Sequence, residues 1–242
     1  MTDDRPILKV CGLTRVADIR CAEAAGAHFC GFITEIERSP RCVTREQATL
    51  LARSCRARPV LVVEEMPPEE IATLFSSITP HAIQLHGGDA QYVSEVAEAL
   101  GDAAFVWRPI GLPESSSDDV RTGASAPRDE ERDRAALVAE VLAEIEAAVD
   151  AGAAAVLLDT RTAEGTGGSG RTCDWQAAAE IVAASPCPML LAGGLGPENL
   201  GEALEVTGAA GADLSSSLEA APGVKSSTLL RALARAWLMI TD

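Results

Sequence analysis

The chain alternates between short apolar runs and longer stretches in which apolar residues recur at helical spacing. The apolar runs predict β-strands at residues 7–11, 28–33, 60–63, 81–85, 104–108, 155–159, 189–192 and 212–215. The helical spacing predicts α-helices at residues 15–25, 44–55, 68–77, 90–100, 134–151, 174–184, 197–206 and 226–238. Strands and helices that alternate in this order are typical of a parallel sheet joined by right-handed crossovers.

Eight such units favour a closed barrel. A (β/α)8 TIM barrel usually has roughly 250 residues, and this chain has 242. We therefore expect residues 1–242 to form one α/β domain with an all-parallel sheet. A doubly wound open sheet is the alternative, and it is disfavoured because no strand and helix are joined by a recognisable dinucleotide-binding turn.

Residues 113–131 fit neither pattern. The segment is rich in Ser, Asp, Glu, Gly, Arg and Pro and has few apolar residues. Segments of this composition do not bury enough apolar surface to pack. The sequence therefore predicts a long flexible insertion after the fifth strand.

Composition narrows the class of partner. Hydrophobic residues make up 47% of the chain but aromatic residues only 3%, which suits strands buried on both faces and rich in Val, Ile and Leu. The net charge of −16 argues against nucleic acid and anionic membranes, since both attract basic surfaces. A small phosphorylated ligand is compatible with this charge, because backbone N–H groups in glycine-rich loops and at helix N-termini bind phosphate.

The cysteines and the N-terminus indicate a cytoplasmic protein. The seven cysteines are scattered, odd in number and without a C-x-x-C pair, so we expect reduced thiols and neither disulfides nor a zinc site. The acidic N-terminus lacks the apolar core of a signal peptide. No apolar run is long enough to span a membrane.

Catalytic residues of such barrels lie at the carboxyl ends of the strands. Cys11 ends the first strand and Asp159 ends the sixth. Cys11 is either a buried apolar filler or a general base whose thiolate forms at a lowered pKa. Asp159 either caps a turn or acts as an acid with a raised pKa. Together they would form a general acid–base pair across the barrel mouth.

Other strand ends supply candidate binding residues. Gln84 and His86 share one face of the fourth strand, and His86 is either a structural hydrogen-bonding residue or a ligand contact. Arg41, placed by Pro40 after the second strand, could hold a carboxylate with both arms of its guanidinium.

Two glycine-containing regions are candidate phosphate sites. Gly168 lies in the glycine-rich stretch at residues 165–170, which is either a phosphate cradle or a flexible lid. The loops after the last two strands are the usual phosphate site of these barrels. The residues expected there are Gly193, Gly194, Ser215, Ser216 and Ser217.

These residues stand in motifs that resemble the phosphoribosylanthranilate isomerases of tryptophan biosynthesis. The motifs run in family order over residues 7–238 and are specific in combination. They are Lys9-Val10-Cys11-Gly12-Leu13-Thr14, Gly31-Phe32, Ser39-Pro40-Arg41, Gln84-Leu85-His86-Gly87, Leu157-Leu158-Asp159, Gly167-Gly168-Ser169-Gly170 with Asp174-Trp175, Leu191-Ala192-Gly193-Gly194-Leu195 with Pro197-Glu198-Asn199, and Asp213-Leu214-Ser215-Ser216.

The resemblance implies an Amadori rearrangement of N-(5-phosphoribosyl)anthranilate to the corresponding 1-deoxyribulose phosphate. In the family, the residue at Asp159 is the general acid that helps open the ring, and the residue at Cys11 removes the proton from sugar C2. The residue at Arg41 helps hold the anthranilate, and the last two loops hold the phosphate. The resemblance also implies that no metal or organic cofactor is used. We expect a monomer or a homodimer.

The chain departs from the family pattern on one side. Residues 33–38 are longer and more acidic than usual, with Glu35 and Glu37, and Glu64 replaces a usual Asn. Ser217 stands where the family has Gly, which would be costly if that backbone needs a positive φ. The segment at 113–131 has no family counterpart.

Three other functions stay open on the sequence. A relative of the isomerase acting on a different phosphorylated or amino-sugar substrate would keep Cys11 and Asp159. A non-catalytic phosphate-ligand barrel would not need either side chain. A Schiff-base aldolase would need a lysine in the barrel, and Lys9 is the candidate.

Overall fold

The protein is described from a computed structural model that covers residues 5–101, 104–114, 127–162, 165–166 and 172–241. The strands of the main sheet are β1 (Ile7–Val10), β2 (Phe29–Ile33), β3 (Arg58–Glu64), β4 (Ala82–His86), β5 (Phe105–Pro113), β6 (Ala153–Thr162), β7 (Gly165–Thr166), β8 (Met189–Ala192) and β9 (Gly211–Leu214). The helices are α1 (Val16–Ala24), α2 (Arg45–Ser54), α3 (Pro68–Ile78), α4 (Ala90–Leu100), α5 (Pro127–Asp150), α6 (Trp175–Ala184), α7 (Leu200–Thr207) and α8 (Ser227–Thr241).

Within the described residues, eight parallel strands close into a barrel. Each of β1 to β4 pairs with the next strand along the chain, and β5 pairs with β6. From β6 the sheet continues through β8 and β9, and β9 returns to β1. This closure confirms the predicted (β/α)8 barrel. Short β7 pairs antiparallel with the end of β6 and stands outside the ring.

Alternation along the strands divides the core in two. One set of side chains packs between the barrel and the helices, including Leu8, Leu61 and Leu158. The opposite set fills the barrel interior near the amino ends of the strands, including Phe29, Trp107 and Leu190. Toward the carboxyl ends the interior becomes polar, with Lys9 and Gln84 buried there. The barrel interior is therefore filled by apolar side chains at the amino ends of the strands and lined by polar side chains at the carboxyl ends.

Local signals explain several element ends. The side chain of Thr44 accepts a hydrogen bond from Gln47 N while the side chain of Gln47 returns one to Thr44 N, a capping box that starts α2. Asp89 caps α4 and Asp174 caps α6 through their carboxylates. Gly208, with φ of 65°, ends α7 in the left-handed conformation.

The structure differs from the sequence prediction around the fifth unit. β5 runs on to Pro113 and β6 to Thr162, because the two strands stay paired beyond the barrel mouth. Helix α5 begins at Pro127, seven residues before the predicted start. The two ends of the predicted 113–131 insertion thus belong to β5 and α5. Residues 115–126 lie outside the described residues.

A small hairpin after β9 was not predicted. β10 (Glu219–Ala221) and β11 (Val224–Lys225) pair antiparallel, after the short 3-10 helix Ser216–Leu218. The hairpin carries Glu219 and Lys225 back toward the barrel mouth, where they contact Arg41 and Ser215 of the site described next.

Candidate active site

A cavity of about 570 Å³ opens at the carboxyl ends of the strands. Ten of the eleven site residues predicted from the sequence line it. They are Cys11, Arg41, Gln84, His86, Asp159, Gly193, Gly194, Ser215, Ser216 and Ser217. The eleventh, Gly168, lies outside the described residues. The cavity therefore gathers side chains from widely separated strands at one mouth.

Cys11 lies beside a buried ion pair. Lys9, two residues earlier on the same strand face, donates from Nζ to Asp213 Oδ2 over 2.6 Å and is fully buried. Burial raises the pKa of the Cys11 thiol, and the Lys9 ammonium opposes that rise. Burial also pulls down the pKa of Lys9, but Asp213 and Cys11 outweigh it and the pKa is raised. A Cys11 thiolate would thus form next to a positive charge.

Gly31 on β2 makes room for the Cys11 side chain. A methyl group on Gly31 would meet Cys11 Sγ at 2.7 Å and its Cα at 3.1 Å. The absence of a side chain at Gly31 therefore allows Cys11 to occupy its position.

Asp159 has the electrostatics of an acid. Burial and the nearby Asp213 carboxylate raise its pKa to about 6, although the backbone N–H of Thr160 and the Lys9 ammonium oppose the shift. A carboxyl group with this pKa carries a proton far more often near neutral pH than an exposed aspartate does. The raised pKa is compatible with the role of an acid, which remains a prediction.

Gln84 and His86 form a second polar pair in the cavity. Their Nε2 atoms are 3.0 Å apart. Burial, with the charge of Lys9, lowers the pKa of His86 to about 4. The ring is therefore neutral at pH 7, and the Gln84 amide donates to its unprotonated nitrogen.

Arg41 is held from behind by Glu219 of the hairpin. Its Nε and one terminal nitrogen donate to the two Glu219 oxygens over 2.8 and 2.9 Å. Lys225 donates to the same carboxylate over 3.0 Å and to Ser215 O over 2.9 Å. The Arg41 guanidinium borders the cavity, and Glu219 accepts only from its Nε and one terminal nitrogen.

The loops after β8 and β9 have the backbone expected of an anion site. Gly193 and Gly194 have φ of 84° and 64°, which favour glycine. Ser215 donates from its hydroxyl to Cys11 O over 3.2 Å. Ser217 lies in the 3-10 helix after β9 and is absent from the positive-φ residues, so the Ser in place of Gly causes no backbone strain there.

The acidic departures from the family pattern are placed unequally. The carboxylate of Glu35 accepts from Arg45 over 2.7 Å, outside the cavity. Glu35 and Glu37 are absent from the cavity lining, whereas Glu64 and Arg38 line it. Arg38 donates from both terminal nitrogens to the two oxygens of Glu64. Of these three glutamates, Glu64 alone lines the cavity, and it is paired with Arg38.

Comparison with known proteins agrees with this geometry. The family model described as "N-(5'phosphoribosyl)anthranilate (PRA) isomerase" matches residues 8–131 and 127–236. The N-(5'-phosphoribosyl)anthranilate isomerase of Methanopyrus kandleri is 35% identical over 237 residues, covering 95% of this chain and 97% of its own. That of Methanocella arvoryzae is 30% identical over 226 residues, covering 93% and 94%.

The chain belongs to the phosphoribosylanthranilate isomerase family.

Solved structures of the family have the same fold. The phosphoribosyl anthranilate isomerase of Thermus thermophilus superposes with a TM-score of 0.72 at 30% identity, covering 97% of this chain and 99% of its own. The resemblance inferred from the motifs is confirmed at the level of family and fold.

Three charged residues at the barrel mouth were not among the site residues predicted from the sequence. Asp213, Glu219 and Lys225 carry charge at the mouth without standing at a predicted catalytic strand end. A signal was available for Lys225, the one cation among these three. The chain has only two lysines, Lys9 and Lys225, and both are buried at this mouth.

Across the described residues, no cluster of three or more His, Cys, Asp or Glu side chains could hold a metal ion. In the same part of the chain, no helix combines the length and the apolar character needed to cross a membrane.

Proposed function

We propose that this chain catalyses the Amadori rearrangement of N-(5'-phosphoribosyl)anthranilate to the corresponding 1-deoxyribulose phosphate. The observation that carries the proposal is the placing of a thiol and a high-pKa carboxyl group in one cavity. Cys11 and Asp159 both line it, together with the glycines and serines of the last two loops. A member of this family with these groups in place has what an aldose–ketose isomerisation by acid and base requires.

Asp159 acts first in the proposed mechanism. Its proton goes to the ring oxygen of the aminoaldose as the bond from that oxygen to C1 breaks, and the nitrogen lone pair forms the Schiff base. Its raised pKa supplies the proton near neutral pH. Burial of the carboxyl group is therefore the feature that makes it an acid.

Cys11 acts second. The thiolate takes the proton from C2, and the electron pair moves through C1 to the iminium nitrogen, giving an enolamine that tautomerises to the ketose. The Lys9 ammonium stabilises the thiolate that this step needs. Lys9 itself is paired with Asp213, which makes it a poor Schiff-base nucleophile and disfavours the aldolase alternative.

The rest of the cavity would bind the two ends of the substrate. We assign the phosphate to Gly193, Gly194 and Ser215–217, with Gly168 as a further candidate. Arg41, Gln84 and His86 also line the cavity and would contact the sugar and the anthranilate. In the described structure, Gln84 Oε1 and Asp213 Oδ1 are buried without a hydrogen-bond partner, so each can accept from a sugar hydroxyl.

The test is loss of the fluorescent substrate, generated in situ, by wild-type protein and four variants. Cys11→Ser and Asp159→Asn should each lower kcat by about 10²–10⁴-fold. Cys21→Ser and Asp150→Asn, which replace a thiol and a carboxyl group away from the cavity, should retain wild-type rates.

No turnover by a folded wild-type protein that still binds a sugar phosphate would point to a changed substrate on the same catalytic frame. Full activity in Cys11→Ser and Asp159→Asn would instead remove both residues from the mechanism.

Assembly and location follow from the family as proposals. The Thermotoga maritima isomerase, 25% identical to this chain, is described as dimeric. We propose a cytoplasmic enzyme that is a monomer or a homodimer, and sedimentation equilibrium of the purified chain separates the two states.

A further inference from the structure

We infer that Arg108 is a positioning residue, which fixes the His86 ring and through it the Gln84 amide, so that Gln84 presents its oxygen to the substrate. The inference rests on the proposed function and concerns the recognition of one hydrogen-bond donor of the substrate, a sugar hydroxyl or the anilino N–H. Arg108 stands on β5, outside the family motifs described above.

Arg108 binds the loop after β4. One terminal nitrogen donates to Leu85 O over 3.3 Å and to Gly87 O, and the other donates to Gly88 O over 2.6 Å. Leu85 and Gly87 are the residues on either side of His86. The guanidinium therefore holds the backbone of His86 from both sides.

The charge of Arg108 is more than a loop anchor needs. The residue is only 9% exposed, and the partners of its guanidinium in the described part of the chain are backbone carbonyls. Burial lowers its pKa, although the carboxylates of Glu144, Asp89 and Glu65 oppose the shift. A buried cation without a paired carboxylate costs free energy, whereas a neutral donor would anchor the loop at a lower cost. This cost indicates that the charge has a further role.

The further role is to keep the His86 ring neutral. Burial and the Lys9 ammonium lower the pKa of His86 to about 4, and Arg108 acts in the same direction against Glu64. Arg108 and His86 both line a second cavity of about 530 Å³. Of the two, His86 also lines the active-site cavity. Arg108 therefore acts on the substrate through another residue.

The neutral ring decides which way the Gln84 amide faces. Gln84 Nε2 can only donate, and it lies 3.0 Å from His86 Nε2, so this ring nitrogen is unprotonated and Nδ1 carries the proton. Gln84 is 3% exposed, and its Oε1 is buried without a hydrogen-bond partner in the described structure. A ring protonated on Nε2 would turn the amide around and present its N–H groups to the substrate. Gln84 is thus held as an acceptor, which selects a donor on the substrate.

Kinetics of Arg108→Met separate this role from a purely structural one. An amide that no longer keeps one orientation loses a ground-state contact, so KM should rise by about three- to tenfold while kcat changes by less than about twofold. A loss of folded protein alone would lower the apparent kcat and leave KM unchanged. Arg108→Lys keeps the charge but not the fork geometry. It should give an intermediate KM, and it provides the comparison if Arg108→Met does not fold.

A double-mutant cycle tests the route through the amide. Gln84→Met should raise KM at least as much as Arg108→Met does, and the double variant should not exceed the larger single effect, because both substitutions remove the same contact. Arg58→Met is the matched control. Arg58 is an exposed strand arginine whose guanidinium lies over the Phe29 ring, 5.6 Å from its centroid, and its replacement should change neither KM nor kcat.

Nitrogen NMR of isotopically labelled histidine measures the ring without any turnover, and His86→Asn assigns its signals. At pH 7 the wild-type His86 ring should have an unprotonated Nε2 and a protonated Nδ1. In Arg108→Met the ring should show a mixture of both tautomers and a higher pKa, because one of the charges that lower this pKa is gone.

An unchanged KM in both Arg108 variants overturns the inference, as do multiplying effects in the double variant or a wild-type ring protonated on Nε2. These outcomes leave the proposed function standing if wild type turns the substrate over. A folded wild type without turnover removes the proposed function instead, and the state of the ring and its dependence on Arg108 are then decided by the NMR measurement alone.

Discussion

At the scale of single residues, Asp159, the proposed acid, shows a conflict between proposed function and the stability of the fold. Its pKa rises from 3.8 to about 6 because burial and Asp213 disfavour the ionised form. A group with a raised folded-state pKa stabilises the fold below its unfolded pKa, and that contribution is lost as the pH rises through the folded pKa. The protein should therefore lose stability through this residue between about pH 4 and pH 6.

Asp159→Asn should stabilise the protein while it abolishes the acid. A rise in pKa of this size is equivalent to about 3 kcal/mol. We expect the free energy of unfolding of the variant to exceed that of wild type by up to about 3 kcal/mol at pH 8, and by about half as much at pH 5. Urea unfolding at both pH values measures the difference.

The exposed Asp150→Asn variant is the control and should match wild type at both pH values. If Asp159→Asn is no more stable than wild type at pH 8, the ionised Asp159 carboxylate does not destabilise the fold.

The proposed roles of Cys11 and Asp159 predict a specific pH profile. The active form carries a proton on Asp159 and none on Cys11, whereas the pKa of Asp159 is about 6 and that of Cys11 is raised above its usual value. Below about pH 6 the thiolate is lost with no compensating gain in protonated Asp159, so kcat/KM should fall. Above pH 6 the loss of the acid and the gain of thiolate cancel, which gives a plateau up to the pKa of Cys11.

Stopped-time assays from pH 5 to pH 10 test this profile. Asp159→Asn should retain a low rate that rises with pH, with no break near pH 6, since only the thiol then titrates. A wild-type rate that declines steadily from pH 6 to pH 8 would contradict the assignment of Cys11 as the base.

How far these residues could be predicted depends on what places them. Cys11 and Asp159 stand at strand ends, so the apolar runs before them were enough to bring them to one mouth. The Arg41–Glu219 contact joins residues 178 apart through a hairpin that no local pattern announced. The partner of Arg41 could therefore be identified only from the three-dimensional structure.

At the scale of elements, the turn after β8, which we propose to bind phosphate, packs against the end of β6. Gly193 has φ of 84°, and a methyl group there would contact the Thr160 hydroxyl and lie 2.7 Å from Thr160 N. Thr160 directly follows Asp159, and it is buried. A substitution at Gly193 should therefore disturb the phosphate site and the acid together.

Gly193→Ala should lower stability more than the backbone conformation alone explains. Replacing glycine at positive φ costs about 1 kcal/mol. Gly208 has φ of 65° and nothing within 4 Å of an added methyl group, so Gly208→Ala measures that conformational cost by itself. We expect Gly193→Ala to lose about 1–3 kcal/mol more than Gly208→Ala, and to raise KM for the substrate.

Urea unfolding and steady-state kinetics of both variants provide the measurement. Equal stability losses in the two variants, with KM unchanged in Gly193→Ala, would show that the loop has room that the structure does not reveal.

Element boundaries were predicted well where a cap or a packed face marks them. The capping box at Thr44 confirmed the start of α2. The ends of β5 and β6 were missed because their pairing beyond the mouth includes Pro109, Gly111 and Pro113, residues that usually indicate turns. The start of α5 was missed because its first turns are polar and lack the apolar spacing on which the prediction relied.

At the scale of the whole molecule, the barrel itself was predictable because eight alternating units have few ways to bury parallel strands on both faces. Closure between β5 and β6, and between β9 and β1, needs no motif of its own.

The surface charge is a separate property. With 36 acidic and 20 basic residues, it affects stability without affecting the choice of fold.

This charge predicts that salt stabilises the protein. Like charges repel more strongly when they are brought together in the compact state, and a net charge of −16 makes that repulsion unfavourable at neutral pH. The screening length falls from about 30 Å at 0.01 M salt to about 8 Å at 0.15 M.

Surface ion pairs such as Arg45–Glu35 weaken over the same range, but exposed pairs contribute only about 0–1 kcal/mol each. Repulsion should therefore dominate, and the urea midpoint at pH 7.5 should rise as sodium chloride increases from 0.01 to 0.2 M. A neutral osmolyte at matched osmolality separates screening from general exclusion effects and should produce a smaller rise. A midpoint that falls with salt would mean that the ion pairs, including the network at the barrel mouth, contribute more to stability than the excess of negative charge removes.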